Sequence, residues 1–203
     1  MTLILNRRTL IRLQRYNDGK ILTKRRNIDY FAQYGHLSLI ILYNNTPNVI
    51  CTKDAMNLAS RFNHRDIVIW LHENRTEGCT TNAMDLASQY GYIDIVKWLH
   101  FNHTEGCTKH AMNFASKNGH LNIVIWLHEN RIEGCTTNAM NWASQYGHID
   151  VVQFLHFNRI EGCTKWAINM ASHNGHRDIV KFLHFNRNEG CTEWAMNYAS
   201  RKG

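Results

Sequence analysis

The six cysteines of this 203-residue chain are separated from one another by a constant step of 28 residues. They are Cys51, Cys79, Cys107, Cys135, Cys163 and Cys191. A fixed step of this size marks an internal repeat, and periods between about 20 and 50 residues are typical of solenoids. Because each repeat of a solenoid contacts only its neighbours, such a chain presents an extended surface more readily than an enclosed catalytic pocket.

The first half of each repeat has the pattern of a short helix. In the copy that starts at Cys79, the small residues Ala83 and Ala87 fall on one helical stripe. Their size lets a neighbouring helix approach closely. Thr80 or Asn82 can cap the start of this helix, and Gly91 can end it in the left-handed conformation.

The second half of the repeat predicts another helix. We expect it to begin after Asp94, a residue that suits an N-cap. Its apolar residues cover more than one face, which is typical of a helix packed between neighbours. These residues are Ile95, Val96, Trp98 and Leu99. A polar loop over residues 102–106 then leads to the next cysteine.

The same frame extends beyond the cysteine-marked copies. Ala32, Gly35 and His36 lie in register with the later repeats, so a degenerate repeat precedes Cys51. Residues 72–102 and 128–158 are near-duplicates. A recent duplication of a two-repeat block explains this similarity.

These repeats resemble the ankyrin repeat, whose pattern is Thr-Pro-Leu-His-x-Ala-Ala-x-x-Gly-His. Residues 138–148 read Asn-Ala-Met-Asn-Trp-Ala-Ser-Gln-Tyr-Gly-His, and residues 149–155 resemble the family's second helix. The resemblance covers about residues 23–203 and implies an all-α solenoid of stacked helix-turn-helix repeats with short loops. The variant Cys-Thr-x-x-Ala-Met-Asn-x-Ala-Ser is similar to ankyrin-like proteins of giant DNA viruses of amoebae.

Two departures from the family pattern carry structural expectations. The period of 28 is shorter than the usual value of about 33, so we expect short loops with little or no strand. The family's first-helix histidine is replaced by an amide or a carboxylate, which we expect to hydrogen-bond to the backbone of the neighbouring loop. The residues concerned are Asn57, Asp85, Asn113, Asn141, Asn169 and Asn197.

The basic character of the chain lies at its N-terminus. The formal net charge is +7, and residues 1–26 contain eight basic residues and one acidic residue. We interpret residues 1–22 as a basic capping segment, with a short amphipathic helix near Leu10, and residues 23–203 as the repeat array. The alternative function for this segment is nuclear import or contact with nucleic acid.

The array is expected to contain about six repeats, of which the last is incomplete. Met196, Tyr198 and Ala199 belong to a first helix, and no second helix follows before Gly203. Solenoid ends normally need a polar cap. We therefore interpret this end as a truncated reading frame or an imperfect cap.

The cysteines and histidines invite a zinc hypothesis, but their spacing argues against it. The chain contains no Cys-x-x-Cys pair, which is the usual arrangement of zinc ligands. The local pair His103 and Cys107 is not repeated in the other copies. We therefore predict no metal, no cofactor and no disulfide, with the cysteines reduced and buried as small packing residues.

The histidines form two series that we interpret as capping or loop-binding residues. One series follows the turn glycine or its substitute Asn63: His64, His120, His148 and His176. The other ends the second helix, where the helix dipole favours a cation: His72, His100, His128, His156 and His184. The alternative is a pH sensor.

Partner binding is better supported by the sequence than catalysis. The chain has no nucleophile elbow, no phosphate-binding loop and no isolated pair of carboxylates, so we predict neither an enzyme nor a small-molecule substrate. Residues that vary within a fixed frame are the candidate contacts. The second residue after each Cys-Thr is such a position, and in the ankyrin family it borders the concave face. They are Asp54, Asn82, His110, Asn138, Trp166 and Trp194. The two tryptophans either form a binding hot spot or pack on the neighbouring repeat.

The favoured interpretation is a non-enzymatic protein–protein interaction scaffold. The viral resemblance implies that the partner is a host protein. The alternatives are a nucleic-acid-associated or nuclear-targeted protein and a decayed duplicate without a selected partner. No apolar run is long enough to span a bilayer, so we expect an intracellular protein in the cytoplasm, with the nucleus as the alternative.

Overall fold

A computed structural model describes residues 27–195 and residue 197 of the chain. This part contains twelve complete α-helices, arranged as six consecutive pairs, and the start of a further first helix at Glu193. They are α1 (Ile28–Gln33), α2 (Leu37–Tyr43), α3 (Lys53–Arg61), α4 (Arg65–Asn74), α5 (Thr81–Gln89), α6 (Ile93–Asn102), α7 (Lys109–Lys117), α8 (Leu121–Asn130), α9 (Thr137–Tyr146), α10 (Ile149–Asn158), α11 (Lys165–Asn174) and α12 (Arg177–Asn186). The only β-pairing within the described part is an isolated bridge between Asn27 and Ile50. The expectation of short loops almost without strand is confirmed.

A threonine caps the first helix of each pair after the degenerate one. In α5 the Oγ1 of Thr80 accepts a hydrogen bond of 3.2 Å from the backbone N–H of Asn82. This bond satisfies one of the donors that a helix N-terminus leaves without an intrahelical partner. The sequence left Thr80 and Asn82 open as caps, and the structure selects Thr80.

The second helix begins earlier than the sequence indicates. Asp94 is not the cap of α6: it lies in the first turn, and the helix begins at Ile93 after Tyr92. The carbonyl of Tyr92 already accepts the N–H of Val96 at 3.1 Å. Asp94 therefore favours the helix as a negative charge near its positive end rather than as a cap.

The first helices of successive repeats pack side by side and form the continuous part of the core. Ala83 and Ala87 are almost completely buried, as their small size predicts. On the second helix, Ile95, Val96 and Leu99 are buried against the same core. Burial at these positions in repeat after repeat stabilises the stack through contacts between neighbours.

The amide that replaces the family histidine holds the next loop, as expected. The Oδ1 of Asn113 accepts a 3.0 Å hydrogen bond from the Thr136 N–H, and its Nδ2 donates one of 3.0 Å to the Thr136 Oγ1. Asp85 accepts both the N–H and the hydroxyl of Thr108. The equivalent loop amides of Thr80, Thr164 and Thr192 are bound by Asn57, Asn141 and Asn169.

The histidine after the turn glycine binds the preceding repeat. The Nε2 of His120 lies 3.1 Å from the carbonyl oxygen of Gln89. Its ring passes so close to Gly91 that an added Cβ would meet the Cε1 at 2.8 Å. Gly91 also has a φ of +86°, so both its conformation and its surroundings require glycine. The same histidine bond recurs at His64, His148 and His176, which confirms their structural interpretation.

Some sequence predictions fall on residues that the structure does not describe. These are the basic segment over residues 1–22 with its proposed helix near Leu10, and the C-terminal residues Met196, Tyr198 and Ala199. None of the twelve helices in the described part combines the length and the apolar content needed to cross a bilayer.

Candidate functional site

The six candidate contact residues lie in equivalent exposed positions at the starts of successive first helices. Each follows the helix's first residue by one position, and each side chain is exposed: Asp54, Asn82, His110, Asn138, Trp166 and Trp194. Trp166 and Trp194 keep 50% and 67% of their surface accessible. Exposure of this size for tryptophan is uncommon, since most of its surface is apolar.

These residues continue into a stripe along the exposed side of each first helix. The positions four and seven residues further on share the same helical face, so His110 leads to Phe114 and then to Lys117. The rings of His110 and Phe114 lie 5.6 Å apart. Between neighbouring helices, the ring of Phe114 stacks on that of Trp142, with centroids 5.5 Å apart and planes at 10°. We call this surface the first-helix face.

Cationic side chains cover several of the aromatic rings on this face. The Nζ of Lys117 lies 5.8 Å from the ring centroid of Trp142 and 5.3 Å from that of Tyr146. The guanidinium of Arg61 lies 5.6 Å from the Tyr90 ring, and its Nη2 donates a 3.2 Å hydrogen bond to the Tyr90 hydroxyl. Cation–π contacts of this kind hold flexible cations in place, so the face presents half-buried rings with a polar rim.

The two exposed tryptophans flank an open cleft of about 870 Å³ between the last two first-helix starts. We call it the tryptophan cleft. It is lined by Lys165, Trp166, Asn169, Met170, His173, Cys191, Thr192, Glu193 and Trp194. The lining combines two indole rings and a thioether with one carboxylate, one ammonium group, one imidazole and one thiol, a composition that suits an apolar side chain with polar flanks.

The row of apolar residues at the centre of the first-helix face is not among the predicted contacts. It occupies the position four residues after the predicted one, where the chain places Leu58, Leu86, Phe114, Trp142 and Met170. All five are half-buried. This position varies within the fixed frame as much as the predicted one, and that variation is the signal that identifies it.

A second series of polar contacts joins the loops that precede the first helices. In the loop before α9, the Nε of Arg131 donates to the Oε2 of Glu133 at 3.2 Å. The Nη1 of Arg131 also lies 3.3 Å from the Nδ1 of His100. The pair faces the buried thiol of Cys107 in the preceding loop, whose pKa is raised to about 12 by burial and then by Glu133, against the opposing effect of Arg131. Equivalent pairs are Arg75–Glu77, Arg159–Glu161 and Arg187–Glu189.

One loop departs from this series, because His103 stands where the other loops have arginine. The Nδ1 of His103 lies 3.5 Å from the Oε2 of Glu105, and its Nε2 lies 3.3 Å from the Nδ1 of His72. Burial lowers the pKa of His103, against the opposing effect of Glu105. His103 and Cys107 are the one cysteine–histidine pair that is close in sequence, but the structure places His103 and Glu105 beside Cys79 in the preceding loop.

The cysteines are free, but they are not uniformly buried as predicted. Cys79, Cys107, Cys135 and Cys163 are buried, Cys51 is half-buried and Cys191 is exposed. Each buried thiol is covered by the Glu-bearing loop of the following repeat. In the described part of the chain, no such loop covers Cys191, which explains why the prediction is wrong there.

Comparison with known proteins agrees with this geometry. Residues 84–166 match the family model described as ankyrin repeats (3 copies). No curated protein matches the chain. Helix pairs on both sides of the matched range repeat the same caps, loop bonds and buried alanines. Ankyrin repeats are generally protein–protein interaction modules. From the match and the stacked helix pairs together, we conclude that residues 84–166 are ankyrin repeats and that the described helix pairs on either side of them continue the same architecture.

Proposed function

We propose that the chain is a non-enzymatic scaffold that binds a protein partner along the first-helix face, with the tryptophan cleft as its anchor. The observation that carries this proposal is the exposure of Trp166 and Trp194 on either side of one cleft. The ankyrin-repeat family is typically non-enzymatic, and the role of such repeats as protein-binding modules supports the same conclusion.

The physical basis is the cost of leaving two indole rings in water. Burying a large apolar side chain contributes about 1.5–3 kcal/mol, so a partner that fills the cleft gains from both rings. Interface hot spots are enriched in tryptophan and arginine and lie at the centre of the contact. Lys165 and Glu193 line the same cleft and can orient a polar backbone or side chain beside the anchor.

The class of partner follows from the surface and from the resemblance of the repeats. The first-helix face carries mixed charges, including Asp54, Arg61 and Lys117, rather than a continuous basic surface. This favours a protein over a nucleic acid, which requires clustered positive charge. The similarity to giant-virus repeats makes a host protein the expected partner.

The test is a quantitative pull-down from amoebal extract with the full chain as bait. The test variant is the double substitution Trp166→Ala/Trp194→Ala. The matched control is Phe157→Ala/Phe185→Ala, because these rings are 71% and 80% exposed but lie at the ends of second helices. Loss of a hot spot weakens binding by about 2 kcal/mol or more, which is about 30-fold.

We expect the tryptophan variant to lose specific proteins that wild type and the phenylalanine variant retain. Equal recovery by all three baits would show that the tryptophans are not the anchor. A bait without residues 1–26 tests the alternative hypothesis that the basic N-terminal segment binds the partner. A partner captured by that segment would be lost from that bait alone.

A further inference from the structure

We propose that Cys79, His103 and Glu105 form a Zn²⁺ site that joins two consecutive inter-repeat loops. One ligand atom from each of the three residues lies within 4.8 Å of the other two. The site departs from the sequence expectation of a packing cysteine, at one of the six cysteine positions.

The three side chains converge from two loops. Cys79 begins the loop segment before α5, whereas His103 and Glu105 belong to the loop after α6. Cys79 is 2% exposed, His103 is half-buried and Glu105 is exposed. In a tetrahedral zinc site the ligand atoms are about 3.5 Å apart. Glu105 lies on the exposed side of the group, and a change of its side-chain rotamer can close the remaining distance.

The chemistry of the three donors suits zinc. Thiolate sulfur, imidazole nitrogen and carboxylate oxygen are the three ligand types that Zn²⁺ takes in proteins. Hard cations such as Mg²⁺ and Ca²⁺ prefer an all-oxygen set. Three protein ligands leave the fourth position to water, as in open zinc sites. Binding displaces the thiol proton of Cys79 to solvent.

A fourth residue orients the imidazole. With its Nδ1 directed at Glu105, His103 presents its Nε2 to the Nδ1 of His72 at 3.3 Å. Metal-binding histidines usually donate their second ring N–H to a neighbouring acceptor, which fixes the tautomer and the ring orientation. The rings of Trp98 and His72 also meet edge to face, with centroids 5.2 Å apart, so the acceptor is itself held in place.

The other loops show why the site occurs here. In each loop that has arginine at the position of His103, the guanidinium pairs with the glutamate two residues further on, next to the cysteine of the preceding loop. Arginine remains protonated and has no lone pair for a metal. At Cys79 alone among the described loops, the permanent cation is replaced by a residue that can ligate. A bound cation would supply the positive charge that arginine supplies elsewhere.

The primary experiment titrates the full, untagged chain with Co²⁺ and then with Zn²⁺ under reducing conditions. Cobalt bound by a thiolate gives a charge-transfer absorption that histidine and carboxylate ligands alone do not give. We expect one equivalent of Co²⁺ with this absorption, and its displacement by Zn²⁺ with a dissociation constant of about 1 μM or below.

Two variants test the ligand set without endangering the fold. His103→Arg restores the residue found in four other loops, so it should fold and lose the absorption. His72→Ala removes only the orienting acceptor, and we expect it to weaken zinc binding by about 10–100-fold. Cys135→Ala is the matched cysteine control, and it should leave the cobalt spectrum unchanged.

A gain-of-site variant completes the test. Arg131→His places an imidazole beside Cys107 and Glu133, with His100 in the position that His72 occupies. We expect this variant to bind two equivalents of metal. The proposal is overturned if wild type shows no thiolate absorption with Co²⁺, or if His103→Arg binds the metal as tightly as wild type.

Discussion

The loops that carry Cys79 and Cys107 share one backbone but are held by different side chains. In both, the glycine before the cysteine has a φ of +70° and the threonine after it caps the next helix. The Cys79 loop (residues 75–80) is bound by the amide of Asn57 and faces His103 and Glu105. The Cys107 loop (residues 103–108) is bound by the carboxylate of Asp85 and faces Arg131 and Glu133.

The difference shows which parts of the repeat are fixed. The turn conformation, the threonine cap and the buried cysteine are common to both loops, so they define the frame. The groups that surround the thiol differ in charge and in ability to ligate a metal, although the backbone is unchanged. A solenoid stabilised by nearest-neighbour contacts can therefore change the chemistry of one junction without altering the next.

The largest expected difference between the two loops comes from their glycines. An alanine at either position adopts a positive φ, which costs about 1–2 kcal/mol. At Gly106 the added Cβ would also overlap the Nη2 of Arg131, whereas at Gly78 the nearest atom is the Glu105 Oε1 at 3.3 Å. We expect Gly106→Ala to lower the free energy of unfolding by about 3 kcal/mol and Gly78→Ala by about 2 kcal/mol, measured by urea denaturation.

The double variant Gly106→Ala/Arg131→Ala is the control for this comparison. Without the guanidinium, the cost of Gly106→Ala should fall to that of Gly78→Ala. If the two single variants are equally destabilised, Arg131 does not restrict the Cys107 loop.

The threonine caps give the next largest difference. Thr80 and Thr108 each accept a helix N–H, a bond whose loss costs about 1 kcal/mol. The Thr108 hydroxyl also donates to the Oδ2 of Asp85 at 2.7 Å. We therefore expect Thr108→Ala to lower the free energy of unfolding by about 2–3 kcal/mol and Thr80→Ala by about 1 kcal/mol. Thr108→Ser restores both bonds and serves as the control, and equal losses in the two alanine variants would contradict the comparison.

Much of this frame could be predicted from the sequence. Local signals identified the helix pairs and the exposed positions from Asp54 to Trp194, and they limited the cap of α5 to Thr80 or Asn82, because each feature depends on residues within one or two helical turns. The amide bonds to the neighbouring loop could also be predicted, since the resemblance places Asn113 and its equivalents where the ankyrin family has a histidine. The predicted start of α6 was wrong, because an aspartate such as Asp94 suits both the N-cap and the first turn of a helix.

The contacts around the thiols could not be predicted, for a physical reason. Cys79 meets His103 and Glu105 only because successive loops stack on one another. No local periodicity encodes that contact across more than 20 residues. Closeness in sequence drew attention to His103 and Cys107 as the one local pair, whereas His103 meets Cys79. The arginine at four of the five equivalent positions was the available clue, since it singles out His103.

Replacing the carboxylate of Asp85 by the amide found in most of the other repeats should stabilise the protein at neutral pH. Burial raises the pKa of Asp85 above its ordinary value of 3.8, against the hydrogen bonds from Thr108. The folded state therefore favours the protonated form, so the contribution of Asp85 is most favourable below pH 3.8 and declines as pH rises through the folded-state pKa.

We expect Asp85→Asn to raise the free energy of unfolding at pH 7 by about 1 kcal/mol, with no gain at pH 3.5. An amide there can accept the Thr108 N–H and donate to its hydroxyl, as Asn113 does with Thr136. The reverse variant Asn113→Asp should lose a similar amount at pH 7. A destabilised Asp85→Asn at neutral pH would mean that the charge-assisted bonds outweigh the desolvation of the carboxylate.

The smallest expected difference between the two loops concerns the glutamates that face them, Glu105 and Glu133. It measures what the charge of Arg131 contributes beside the Cys107 loop. Burial raises the pKa of Glu133, but hydrogen bonds from Arg131 and from backbone amides lower it by a larger amount, so the net shift of the pKa is downward. Its contribution to stability is therefore present above the unfolded-state pKa and is lost as pH falls through the folded-state value.

With EDTA present, Glu133→Gln should lower the free energy of unfolding at pH 7 by about 0.5–1 kcal/mol. Glu105→Gln should change it by less than about 0.3 kcal/mol, because its partner His103 lacks the permanent charge of arginine. The Glu133 effect should shrink toward pH 3 and in high salt. If Glu105→Gln is as destabilising as Glu133→Gln in metal-free protein, His103 already serves as a cation beside the Cys79 loop. That loop then lacks no positive charge for zinc to supply.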